Sequence, residues 1–227
     1  MATTDFIFNT LRTYMDEPDQ TFADDAMVIR FLQIGYQEFR NAAIMFDPSP
    51  FLKTASYPIA GVDNIDLTTA VPTGFAGPIL GATAAQGEQL DMMVTVYREP
   101  TNGSVPTLVF QQVQSLAAMQ STPSACIFSE GKLTFGCNQT STVQVSYVPS
   151  SNVSWSAIGG FIDDLGLFHD LIALYAYKQY SIMDAASNPV LVDQTRKREE
   201  EFRNYMNTRS VGGANYVQDV TSAGFWL

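Results

Sequence analysis

Apolar and polar positions recur with two different periods along the chain, and the change of period divides it into three stretches. From about Thr4 to Met15, Ile7, Leu11 and Tyr14 fall at helical spacing and predict a short amphipathic helix, which Asp16-Glu17-Pro18-Asp19 breaks. Thr21-Phe22-Ala23-Asp24 has the form of a capping box, in which hydroxyl and carboxylate each serve a free N–H. The helix it predicts runs to Phe46, with Val28, Phe31, Leu32, Gly35, Phe39, Ala42 and Phe46 on one stripe. Arg30, Gln33, Gln37 and Arg40 form its opposite face, and Asp47-Pro48-Ser49-Pro50 ends it.

Between residues 51 and 157 the period becomes two, Gly and Pro recur, and charge nearly vanishes. Leu90, Met92, Val94 and Val96 alternate onto one face of a strand, as do Val143, Val145 and Tyr147 of another. Ala125–Phe128 and Leu133–Phe135 flank Glu130-Gly131 as the clearest hairpin in the chain, with further strands expected near 54–59, 63–68 and 106–113. A two-residue turn there sets Cys126 opposite Phe135 and not opposite Cys137.

Helical spacing returns after Gly159-Gly160. Asp163 or Asp164 is the expected cap of a helix carrying Leu165, Phe168, Leu171, Ile172, Tyr175, Gln179, Ile182 and Met183. Asn188-Pro189 reads as cap plus first residue of a last helix running to about Arg209, with Leu191, Phe202, Tyr205 and Met206 inward. On its outer face Arg196/Glu200, Lys197/Glu201 and Glu199/Arg203 stand four residues apart. The pattern predicts an α+β fold. Residues 1–50 and 158–210 form a helical bundle, 51–157 an inserted antiparallel β sandwich or barrel-like lobe, and 211–227 a C-terminal extension.

Charged residues make up only 15% of the 227, against the roughly one quarter expected of a soluble domain. A surface so poor in charge suits coverage by other subunits. The formal net charge is −11, spread along the whole chain, which argues against affinity for nucleic acid or an anionic membrane. No secretory leader is expected from Met1–Asp5, and the longest apolar run, Leu171–Tyr177, is too short to span a bilayer. Two cysteines exclude a disulfide framework, and both are expected to be reduced.

Candidate chemistry is sparse. The single histidine, His169, has Asp170 beside it, about 100° away around a helix, so the two make no general-base pair. The chain lacks GxSxG, HExxH, CxxC, GxGxxG and the Walker loop. Asp24-Asp25 and Asp163-Asp164 stand at helix starts, where the helix dipole favours negative charge. An enzyme is not expected, nor is a cofactor or a metal site; a metal-dependent hydrolase using Asp163 or Asp164 is the remote alternative. Arg196-Lys197-Arg198 is neutralised by the three glutamates that follow. Trp155, Tyr97 and Tyr147 are candidate stacking residues of a carbohydrate- or receptor-binding lobe. One feature stands apart: beyond Gly212-Gly213 the tail carries Tyr216, Val217, Phe225, Trp226 and Leu227, apolar residues that need either their own subunit or a partner's pocket to cover them.

The long helix with Phe31-Leu32-Gln33-Ile34-Gly35-Tyr36-Gln37-Glu38-Phe39, the strand Val143–Pro149 with its Tyr-Val-Pro ending, and the helix pair joined at Asn188-Pro189 together resemble the head-to-tail adaptors of tailed bacteriophages. The resemblance lies in the order of elements over about residues 20–210. It implies a non-enzymatic virion protein, made in the host cytoplasm and placed at the head–tail junction. It also implies a ring, by resemblance one of twelve subunits, bound to the portal protein above and to the next tail protein (nozzle, stopper or tail tube) below. Genome DNA would pass through an acidic lumen without specific binding and without any membrane. The portal-docking role would fall to the C-terminal extension. Another tail ring component, or a receptor-binding tail module, is the alternative.

Overall fold

The computed structural model describes residues 3–16, 23–58, 61–84, 87–98, 108–120, 122–139, 141–151, 153–156, 159–184 and 188–212. In chain order the elements are α1 (Thr4–Met15), α2 (Asp25–Phe46), β1 (Lys53–Tyr57), β2 (Val62–Asp66), β3 (Leu90–Arg98), β4 (Leu108–Val109), β5 (Gln111–Gln112), α3 (Leu116–Gln120), β6 (Ala125–Ser129), β7 (Lys132–Gln139), β8 (Val143–Pro149), α4 (Asp170–Asp184) and α5 (Pro189–Gly212). They fall into two units, one of residues Met1–Pro50 with Val153–Leu227, the other of Phe51–Asn152. The class is mixed α+β.

The helical unit is organised around α4. Leu171 through Tyr177 are all buried, so this helix has no solvent face over two turns and takes contacts from α1, α2 and α5. Sequence periodicity assigns α4 a single stripe ending in Ile182 and Met183, yet Ile182 is 70% exposed and Met183 half-exposed. The continuous run Leu171–Tyr177 is the signal of a central helix, and the burial stops where the run stops. α2 crosses α4 at Gly35, where an added Cβ would sit 2.6 Å from the Ile172 carbonyl oxygen and 2.7 Å from the Ala176 nitrogen. Phe31 meets Tyr180 on one side of that crossing, and Phe39 meets Phe202 of α5 on the other. Arg40, expected on the outer face of α2, is buried.

Caps differ in detail from expectation. α2 is capped by Asp24, whose carboxylate accepts from the Met27 N–H at 2.8 Å; Thr21 and Phe22 of the expected capping box lie outside the described residues. Asp163 does not start α4 directly. It accepts from the Leu165 N–H at 2.8 Å, a short 3₁₀ turn (Gly166–Phe168) follows, and the α-helix begins at Asp170. α5 starts as expected, with the Asn188 side chain accepting from Val190 N–H at 3.0 Å and Pro189 in the first position.

The second unit is a sandwich of two four-stranded sheets, ordered β1-β8-β3-β4 and β2-β7-β6-β5. Ala55, Tyr57, Val96, Val143, Val145 and Tyr147 of the first face Ile65, Cys126, Leu133 and Phe135 of the second. All pairings are antiparallel except β5 with β6, a short parallel pair. The β6–β7 hairpin turns at Glu130 and Gly131, both at positive φ, and sets Cys126 opposite Phe135. In β3 the expected alternation fails. Register shifts between Leu90 and Met92 and between Met93 and Thr95 move the inward set to Leu90, Met93 and Val96.

Gly35→Ala should test the α2–α4 crossing. Backbone lies on the other side of the contact, so the helices must separate, and a loss of about 2–3 kcal/mol in urea unfolding is expected. An unchanged or raised midpoint, as for Gly→Ala at an uncrowded helix position, would contradict the packing.

Candidate functional site

Residues singled out by the sequence go to four different places. Tyr216, Val217, Phe225, Trp226 and Leu227 lie outside the described residues. Trp155 belongs to the helical unit, not to the β lobe, and is buried with its ring edge-on to Tyr36 at 5.9 Å. Tyr147 is fully buried in the sandwich core, while Tyr97 is half-buried with its hydroxyl hydrogen-bonded to Gln144. Trp155 and Tyr147 therefore offer no free ring face for a sugar.

His169 is buried, at 1% exposed, and pairs with Asp163 at Nε2–Oδ1 2.7 Å; Asp170, its neighbour in sequence, turns instead to Arg198. The pairing arises because the 3₁₀ turn brings position 169 back over position 163, a contact that helical geometry alone would not give. Tyr36 stands beside the same carboxylate, and the burial that encloses it, with Asp163 close by, pushes its hydroxyl pKa upward. The pair anchors the turn that leads into α4. Asp163 uses one oxygen, Oδ1, for both Leu165 and His169, and no group of three or more His, Cys, Asp or Glu placed to hold a metal ion occurs among the described residues. No helix among them is long and apolar enough to cross a membrane.

The basic triplet on α5 is wired differently from the expected i,i+4 pairs. Arg196 and Lys197 reach back to Asp193, each at 2.7 Å. Arg198 crosses to α4, where its Nε and Nη2 donate to the two Asp170 oxygens at 2.6 and 2.7 Å. Its Nη2 also donates to the Leu167 carbonyl at 2.8 Å, and the guanidinium lies 5.1 Å from the Phe168 ring centre. These contacts hold the start of α4 against the middle of α5. No sequence signal marks the pair, because Asp170 and Arg198 are 28 residues apart.

What the helical unit presents to solvent is apolar at several points. Phe6, Met45, Phe161, Leu167, Ile182, Val190 and Val192 are all more than half exposed. Single exposed apolar residues are ordinary, but Ile182 and Met183 at the end of α4 and Val190 and Val192 at the start of α5 occur close together in sequence. Tyr205, expected to face inward, is also partly exposed.

No model of a known protein family matches the chain, and no curated protein is significantly similar to it in sequence.

The two cysteines provide a check on the sandwich. Burial pushes the Cys126 thiol up to about 12, whereas Cys137 is exposed. One thiol per chain should react with a disulfide reagent near neutral pH, and two after unfolding. Because the fold favours the neutral thiol, its contribution is complete below the ordinary 9.0 and is lost as pH rises towards about 12. Stability of the β unit should fall across that window; two native-state thiols reacting equally fast would contradict the placement of Cys126.

Proposed function

We propose that the protein is a head-to-tail adaptor of a tailed bacteriophage, a structural ring subunit between the portal and the tail. The observation that carries the reading is the set of large apolar side chains exposed on the helical unit of a chain with only 15% charged residues. Subunit interfaces are depleted of Lys, Glu and Asp at their centres, and apolar helix surface left to solvent is what such an interface would cover. The order of elements, two N-terminal helices, a β sandwich and two C-terminal helices, agrees with the layout on which the resemblance rests.

In this reading the subunits close head-to-tail into a ring, with twelve copies as the resemblance implies. The net charge of −11 per subunit, repeated around the ring, gives an acidic channel that repels the phosphate backbone, so genome DNA passes without being held. The C-terminal extension, with Tyr216, Val217, Phe225, Trp226 and Leu227, supplies the apolar anchors for a pocket on the portal. The opposite side of the ring receives the next tail protein, a nozzle, a stopper or the tail tube.

Electron microscopy of particles from a phage mutant lacking this protein tests the reading. Filled or leaking heads separated from tails are expected. Intact tailed particles that fail only to adsorb would overturn it in favour of a receptor-binding tail module.

A further inference from the structure

The four α-helices among the described residues of the helical unit are not attached alike. α4 buries eight side chains in 15 residues, whereas along the 24 residues of α5 only Leu191, Phe202 and Met206 are buried among the described positions. Beyond these, the Tyr205 ring lies 5.1 Å from that of Phe168, and the remaining ties of α5 are polar. Arg198 grips Asp170 and the Leu167 carbonyl, Arg209 reaches Asp47 at 3.4 Å, the Glu199 carboxylate meets the Tyr175 hydroxyl, and Gln194 meets Tyr14 of α1. At its first turn α5 turns Val190, at 71% exposed, and Val192 outward. Its origin is fixed, since Asn188 N–H donates to the Tyr177 hydroxyl at 3.2 Å and caps Val190. Pro189 immediately after it has no N–H to tie the first turn back.

We infer that α5 is a latched arm, which opens as a unit from α1, α2 and α4 while those three helices stay folded, with Arg198 as the principal latch. An element held by few apolar contacts and several solvent-reachable charged ones belongs to the low-stability end of a native structure. Its hold weakens when salt screens those charges, whereas the apolar face of α4 is insensitive to salt. Opening uncovers Phe39 and Phe168, the rings against which Phe202 packs, and so offers an aromatic surface that the closed form hides. Arg198 is suited to the latch because it touches α4 only at its first turn. Without it Asp170 still sits favourably at a helix N-terminus, so α4 keeps its own support. The inference does not rest on the adaptor reading.

Native-state hydrogen exchange of the full chain, followed by peptide mass spectrometry, tests it. In the wild type the α5 amides should exchange at least about tenfold faster than those of Leu171–Tyr180 in α4. Arg198→Ala, and high salt on the wild type, should each speed α5 further and leave α4 unchanged. If α5 and α4 exchange together, or if Arg198→Ala accelerates both equally, α5 is an integral part of the bundle and the inference fails. Should Arg198→Ala not fold, Arg198→Lys and the salt series give the same comparison, since lysine keeps the charge but loses the two-pronged grip.

Discussion

The approach of α2 to α4 at Gly35 is the contact on which the helical unit depends. With no side chain at position 35, backbone meets backbone, and the two helices come close enough for residues on either side of the crossing to interlock. Phe31 can then reach Tyr180, and Phe39 can lie between His169 and Phe202. α4 becomes the interior element, buried on every side from Leu171 to Tyr177. α1 packs against it and is clipped in place by Thr4 and Asp5. The Thr4 N–H donates to the Gly160 carbonyl, and Gly159 N–H donates to the Asp5 carboxylate, which holds that carboxyl below its ordinary pKa.

Two of the buried polar groups of this unit, Asp163 and His169, serve the turn that feeds α4. Asp163 accepts from Leu165 and pairs with His169, and Asp170 one residue later is taken by Arg198. The same few residues thus end an irregular segment, start a helix and attach α5. The sandwich follows a different logic. Its core is almost wholly apolar, with register fixed by the Glu130-Gly131 turn and by the two irregularities of β3.

Much of this was legible in the sequence. α1, the end of α2, the β6–β7 hairpin with its Cys126–Phe135 register and the Asn188-Pro189 start of α5 follow from local rules of capping, turn chemistry and period. What failed did so for tertiary reasons. Helical period cannot tell a helix buried on one side from one buried all round, so it places Ile182 and Met183 inward. A bulge changes strand parity without any change in composition, so simple alternation puts Met92 and Val94 on the wrong face. The His169–Asp163 and Arg198–Asp170 pairs depend on a 3₁₀ turn and on a contact 28 residues apart, neither of which spacing rules reach. The apolar tail was visible only as composition, and its residues lie outside the described ones.

The proposed adaptor function requires the protein to sit at the neck of a phage particle. Immunogold labelling with antibodies against the chain, on phage particles opened by mild disruption, measures this directly. The account predicts label at the neck, on the portal vertex of heads or the upper end of tails. Label confined to the tail tip or spread over the capsid shell would contradict it.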